Sequence, residues 1–260
     1  MALEQPRITW TEGTTFAERL CLGAVEKQAV GKHVIEAHFE PEEEIFLSDG
    51  SSTYHLALRL MQKPLTASIL TTNIAIAFER ALRKDTVGGL HVELAGGNID
   101  SELLMVSGPT TERTLREWAS RATVLVVSMR TYDANCGPTE RHPPSHRQIS
   151  LLCTEGLKAK AKIIFVCDHA KLSRPVEKQK DRPVFASGQA WTEAALSGNV
   201  WLVTNRPAAP EVANAPSWLC AAASEVQTRQ FIANGGKLHG LLGDHYVELP
   251  YADVDALAND

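Results

Sequence analysis

The segment Ser48-Asp49-Gly50-Ser51-Ser52-Thr53 packs hydroxyls, a carboxylate and a glycine into one short turn. It follows Ile45-Phe46-Leu47, apolar enough to end a buried strand, and it runs into Tyr54-His55-Leu56-Ala57-Leu58-Arg59-Leu60, a helical stretch. A strand, a polar turn and a helix in that order set free backbone N–H groups and hydroxyls at the positive end of the helix, where a phosphate binds well. Taken alone, the same turn is as readily a simple helix cap.

Three further polar clusters have two readings each. Thr72-Asn73 is a helix cap or a pocket wall, and Gly96-Gly97-Asn98 is a turn needing positive φ or a close approach to a ligand. Asp168-His169-Ala170-Lys171 is a surface ion pair worth under about 1 kcal/mol, or a rim of paired charges. Residues 131–147, with Arg130 just before them, form an irregular loop carrying Glu140, Arg141, His142, His146 and Arg147. It is a solvated loop, or a flap whose cations close over an anion. His142 and His146 are separated by two prolines and lack a supporting Cys or carboxylate pattern, so no metal or other cofactor is expected. Cys167 reads as a core residue and Cys153 has no base in sight, so covalent chemistry is not expected either.

These clusters need a scaffold, and the hydrophobic pattern supplies one. Helices are expected over residues 14–38, 51–62, 74–83, 109–119 and 147–161. Strands are expected over 45–47, 67–72, 90–94, 123–128, 162–167 and 199–204. Strands that alternate with helices and are apolar on both faces imply a parallel sheet covered on both sides. In such a sheet ligands bind at the carboxyl ends of the strands, where all four polar clusters fall. After residue 205, Pro207, Pro210 and Pro216 break the rhythm; a helix over 224–233 capped by Gly235-Gly236 and a strand over 244–250 make an appendage. The expected division is a lead-in over 1–13, an α/β domain over 14–205 and this appendage over 206–260.

The bulk composition narrows the function. The chain has 260 residues, 44% of them hydrophobic, enough for one sizeable core. A net charge of −5 argues against generic nucleic-acid binding. No apolar run reaches membrane-span length, and the N-terminus lacks a secretory pattern. Five scattered cysteines without a CxxC pair fit a reducing cytoplasm.

In order along the chain, Glu26-Lys27-Gln28-Ala29, residues 45–53, Leu70-Thr71-Thr72-Asn73-Ile74-Ala75-Ile76-Ala77, Leu94-Ala95-Gly96-Gly97-Asn98, Val106-Ser107-Gly108-Pro109 and Val166-Cys167-Asp168-His169-Ala170-Lys171-Leu172 resemble the C-terminal effector domain of DeoR-type bacterial regulators. The resemblance spans roughly residues 25–205. It implies a three-layer, Rossmann-like, mostly parallel α/β fold shared with ribose-5-phosphate isomerase, glucosamine-6-phosphate deaminase and CoA transferases. It also implies a phosphorylated sugar or similar metabolite as effector. By that likeness Gly50, Ser51, Ser52 and Thr53 hold the phosphate, Asn73 and Gly97 shape the pocket, and Asp168 and Lys171 close its rim. Ser48, Asp49 and Gly96 belong to the same site.

Two departures stand out. The family usually writes Asp-Ser-Gly-Thr-Thr in the phosphate turn, whereas here Ser48 and Asp49 exchange the acid and the hydroxyl. A ligand-facing lysine usual on the helix before the Asp-His-Ser-Lys strand has no counterpart near Gln148 or Cys153, and Arg141 or Arg147 is expected to supply its charge. About 25 residues precede the match, too few for the family's winged helix-turn-helix, so no direct DNA reading is expected. The leading expectation is a stand-alone cytoplasmic sensor of a phosphorylated metabolite, acting through oligomerisation or a protein partner. An isomerase, deaminase or hydrolase of a sugar phosphate, with Asp49 as base and Glu140 or His169 behind it, is the alternative. A third is an assembly protein whose tail docks through Trp218 and Phe231.

Overall fold

A computed structural model describes residues 15–83, 88–133, 135–168, 171, 176–204, 237–242 and 245–248. Its elements are α1 (Phe16–Cys21), α2 (Ala24–His38), β1 (Glu43–Leu47), α3 (Ser51–Leu60), β2 (Ala67–Thr71), α4 (Ile74–Leu82) and β3 (Leu90–Leu94). They continue with β4 (Asn98–Asp100), β5 (Met105–Ser107), α5 (Pro109–Ala119), β6 (Val124–Ser128), β7 (Thr131–Asp133) and β8 (Gly137–Glu140). The remainder are α6 (Pro143–Ala159), β9 (Lys162–Cys167), β10 (Arg182–Pro183), α7 (Gly188–Leu196), β11 (Val200–Thr204), β12 (Lys237–Leu242) and β13 (His245–Glu248).

The central sheet runs β13-β12-β11-β9-β6-β1-β2-β3. All its pairings are parallel except β12 with β13. Alternation along each strand divides the core in two. Phe46, Leu125, Val127, Ile163 and Phe165 face one layer, with Leu115, Trp118, Ile149, Leu152 and Trp191 of the helices α5, α6 and α7. Ile45, Leu47, Val124, Val126, Ile164 and Val166 face the other, with Val30, Val34, Leu56, Leu60 and Ile76 of α2, α3 and α4. Burial of both faces explains why these strands read as unbroken apolar runs.

The strand order reverses direction once. From β1 the chain moves outward through β2 to β3, then returns to place β6 on the other side of β1 and continues through β9 to β11. Loops leaving β1 and β6 must diverge, and the gap between them is the crevice of the sheet.

Four regions differ from the sequence expectation, each for a local reason. The helix expected over 14–38 is two helices, because Gly23 takes a left-handed conformation with φ 59°. Thr15 starts α1 with a reciprocal capping box to Glu18, and Lys27 Nζ donates to the carbonyls of Arg19, at 2.5 Å, and Leu22 at the end of α1. Residues 98–107 form the β4–β5 hairpin, too short to register as periodicity. The irregular loop over 131–145 is the β7–β8 hairpin, with β10 added to form a small antiparallel sheet. Pro143 then opens α6 at its first position, where a missing N–H costs nothing, so α6 starts earlier than the expected 147. At the C-terminal end, β12 and β13 extend the central sheet, β13 falling within the expected strand over 244–250. The expected helix over 224–233, with Trp218 and Phe231, lies outside the described residues.

Helices α2 and α3 cross tightly at Gly31, where an added Cβ would lie 2.9 Å from Leu56 Cα and 3.2 Å from its backbone nitrogen. Backbone atoms cannot swing aside, so Gly31→Ala should lower the unfolding free energy by about 1–3 kcal/mol. An unchanged urea midpoint would show that the helices do not approach so closely.

Burial, then the neighbouring Lys171, pull the Lys27 ammonium down to about 8, while Asp168 and Glu26 oppose the shift and Arg19 adds to it. The folded state therefore binds fewer protons than the unfolded chain between about pH 8 and the ordinary lysine value of 10.5. Stability must rise with pH across that window. Wild-type stability measured by denaturant melts should gain on Lys27→Met from pH 8 to 10.5, and parallel pH profiles would refute a lowered Lys27 ammonium in the folded state.

Candidate functional site

The crevice between β1 and β6 holds a cavity of about 100 Å³. Its floor is the turn from β1 to α3. The Ser48 amide donates to Val126 O at 3.1 Å, continuing the β1–β6 ladder one step past the strand. Ser48 Oγ then accepts from the Ser128 amide at 2.9 Å and lies 3.3 Å from Ser128 Oγ. Thr53 Oγ1 lies 2.7 Å from Ser48 O and 2.6 Å from Gly50 O, so one hydroxyl ties both ends of the turn. Gly50 sits against Ser128; a Cβ there would lie 2.0 Å from Ser128 Oγ.

Gly50 is the N-cap of α3, and no side chain caps this helix. Its first-turn amides have no intrahelical acceptor, and they carry the positive end of the helix dipole. Ser51 faces the cavity. Ser52 Oγ is buried beside it with no hydrogen-bond partner.

Two carboxylates enter the same space. Asp49 accepts from Ser145 Oγ of α6, at 3.0 and 3.1 Å to its two oxygens. Glu140, at the end of β8, accepts from the amides of Arg141 and His142 at 2.9 and 3.0 Å, both on Oε1. Burial, reinforced by the nearby Asp49, pushes the Glu140 carboxyl above its ordinary range. His142 also lines the cavity, and burial holds its imidazole below the ordinary value despite Asp100 at 3.7 Å. The cations on the cavity wall are Lys171, Arg130 and Arg19. Lys171 Nζ donates to Met129 O at 2.9 Å, and its amide donates to Asp168 O at 3.0 Å. Asp168 is buried, with Oδ2 unpartnered. Arg130 stands 3.9 Å from Asp181, a long ion pair.

The expected residues divide by position. Asp49, Gly50, Ser51 and Lys171 line the cavity; Ser48, Ser52 and Thr53 build the turn beneath it. Asn73, Gly96 and Gly97 lie after β2 and β3, away from its lining. Asn73 Oδ1 caps α4 by accepting from the Ala75 and Ile76 amides, and its Nδ2 is buried without a partner. Gly97, at φ 148°, presses against Ser107 and Thr111, while Gly96 O accepts from Thr111 Oγ1 at 2.6 Å.

The two arginines expected to replace the missing lysine are engaged elsewhere. Arg141 pairs with Asp181 at 2.9 Å and Glu177 at 2.6 Å, and Arg147 pairs with Glu112 at 3.3 Å on the surface. Successive residues at the end of β8 diverge, which turns Glu140 and His142 inward and Arg141 outward. His146 donates from Nε2 to Pro183 O at 2.7 Å, apart from His142, and no three His, Cys, Asp or Glu side chains gather as a metal site among the described residues. Cys153 and Cys167 are buried, and burial raises both thiols, Cys167 to about 12, which disfavours the thiolate form.

Sequence reasoning missed Arg19, Leu103, Ser128 and Met129. Ser128 and Met129 were findable, since they close an apolar strand where the chain reverses its order across the sheet. Arg19 and Leu103 carry no local signal; one sits on a short helix and the other in a hairpin turn, both brought over the cavity by tertiary packing.

No curated protein matches the chain in sequence. The fold has structural neighbours at low identity. Translation initiation factor eIF2B beta from Chaetomium thermophilum is 9% identical with a TM-score of 0.43, covering 64% of this chain and 52% of that one. The eIF-2B from Pyrococcus horikoshii OT3 is 10% identical with a TM-score of 0.41, covering 56% of this chain and 46% of that one. The chain thus spans about half the length of these relatives. A probable sor operon regulator from Shigella flexneri is 12% identical with a TM-score of 0.39, covering 70% of this chain and 84% of that one. The model of the DeoR C-terminal sensor domain matches residues 23–177, a segment that contains β1, α3, β6 and Lys171, and the chain belongs to that regulatory family.

Proposed function

We propose that this chain is a cytoplasmic effector-sensing domain that binds a phosphorylated small metabolite, a sugar phosphate or nucleotide-like molecule, in the crevice between β1 and β6. The observation that carries the reading is the uncapped N-terminus of α3 opening on a cavity with Lys171, Arg130 and Arg19 on its wall. Helix amides and cations together favour a dianion over a neutral ligand. Asp49 and the free oxygen of Glu140 are acceptors for the hydroxyls of the ligand's remaining part, so a polyol phosphate suits the site better than phosphate alone. Asn73, Gly96, Gly97 and Asp168 then support the pocket from the neighbouring strand ends. Regulation passes to a partner protein or a second copy of the chain.

A ligand that binds only the folded state stabilises it by about 2.7 kcal/mol at a hundredfold excess over Kd. A panel of sugar phosphates and nucleotides should therefore contain compounds that raise the thermal midpoint. Ser51→Ala with Ser52→Ala should remove that rise without lowering the unliganded midpoint by more than a few degrees. A flat response across the whole panel, or an undiminished one in the double variant, overturns the reading.

The Asp49–Glu140 pair favours a second reading, an enzyme acting on the same ligand. Burial pushes the Glu140 carboxyl above its ordinary range, and Asp49 beside it accepts from the Ser145 hydroxyl, so two carboxyl groups in different surroundings share one cavity. Under this reading, compounds that stabilise the protein are also converted or exchange C–H protons with deuterated solvent, and Glu140→Gln binds them without turnover. Binding with no conversion or exchange leaves sensing alone.

A further inference from the structure

We infer that Arg19 is a specificity-determining ligand for the anion, and that α1 is a lid whose seating is coupled to occupancy of the cavity; this rests on the phosphate reading above. Arg19 precedes the family-matched segment, which begins at residue 23, so the family's pattern does not supply it. It reaches the cavity that holds the α3 N-terminus. Its Nε and Nη2 are buried and make no hydrogen bond. Buried donors on a cation are costly to leave unmatched, and an arginine presents two of them in a fork that fits one phosphate. The cavity's own carboxylates do not answer it: Asp49 takes the Ser145 hydroxyl and Glu140 takes two backbone amides. The Arg19 guanidinium instead lies against the Phe16 ring, 5.5 Å from its centre, which fixes its direction without using its donors.

The helix carrying Arg19 is short and is held by few tethers. Phe16 packs edge-on against Tyr54 of α3, with ring centres 5.9 Å apart. His55 Nε2, also on α3, donates to Leu20 O at 3.0 Å. The Phe16 amide meets Glu102 O in the β4–β5 turn at 3.4 Å, and Lys27 latches the helix end from α2. Gly23 at φ 59° is the joint behind it. An anion at the α3 N-terminus joins α3 to Arg19 directly, adding a tether that exists only in the occupied state. Binding energy gained through Arg19 is therefore also energy that seats α1, and the two are linked by the same factor in both directions.

The test uses the full chain and inorganic phosphate, followed by calorimetric titration and by amide hydrogen exchange. Phosphate should slow exchange in two peptides, one over residues 49–54 and one over 15–22. Arg19→Ala should weaken phosphate at least tenfold, and at saturation should keep the protection of 49–54 while losing that of 15–22. Arg19→Lys, which keeps the charge but not the fork, should fall between. Wild-type affinity in Arg19→Ala overturns the role of Arg19. Protection of 49–54 without 15–22 in the wild type overturns the lid and leaves the phosphate site intact. Protection of neither segment, with no heat of binding, overturns this inference, while the phosphate-ester reading is decided separately by the panel of sugar phosphates and nucleotides.

Discussion

The parting of β1 and β6 is the constraint on which the site depends. Two neighbouring parallel strands end together, and Ser48 and Ser128 then clasp through an amide-to-hydroxyl bond and a hydroxyl contact. This clasp brings the two loops so close that position 50 has no room for a side chain. With Gly50 in place and Thr53 tying the turn, α3 is aimed with its first amides into the crevice. The arrangement is rigid because it is an extension of the sheet, not a loop fold of its own. A ligand there meets donors whose positions are already fixed, which lowers the ordering cost of binding.

Charge in the crevice is balanced and not simply positive. Lys171, Arg130 and Arg19 face Asp49 and Glu140 across a small space. Without the carboxylates, three cations at a helix N-terminus would attract any anion from solution. Under the proposed phosphate reading, Asp49 and Glu140 make an undecorated anion less welcome and leave acceptors for the hydroxyls of a phosphate carried on a hydroxylated body. Burial, with Asp49 nearby, pushes the Glu140 carboxyl above its ordinary range, so the charge at this end of the crevice is costly to hold.

The fold was largely legible in the sequence because its signals are local. Apolar runs at 124–128 and 162–167 need both faces covered, and that alone implies a layered parallel sheet. The helix α5 over Pro109–Ala119 falls where its proline and its apolar stripe place it. The turn at 48–53 was legible for the same reason, since strand, polar turn and helix are contiguous. What failed was either punctuation or geometry. Gly23 broke a helix that hydrophobic periodicity continued, and Pro143 opened one where prolines suggested a loop. The arginines show the geometric failure. Arg141 lies between two residues that face the cavity, yet a hairpin strand alternates its faces and sends it to Asp181 and Glu177.

With the acid at position 49, its carboxylate turns from the floor of the turn toward α6 and takes the Ser145 hydroxyl. Helix α6 thereby presents a hydroxyl donor at the crevice and not a lysine, and Arg147 on its far side is free to pair with Glu112. Under the proposed phosphate reading, the cations that answer the ligand come from elements that the acid does not occupy. The open directions are the β6 end, which gives Arg130, the segment after β9, which gives Lys171, and the roof, which gives Arg19. The acid of the turn thus meets a hydroxyl on α6, while the positive charge of the cavity comes from three separate parts of the chain.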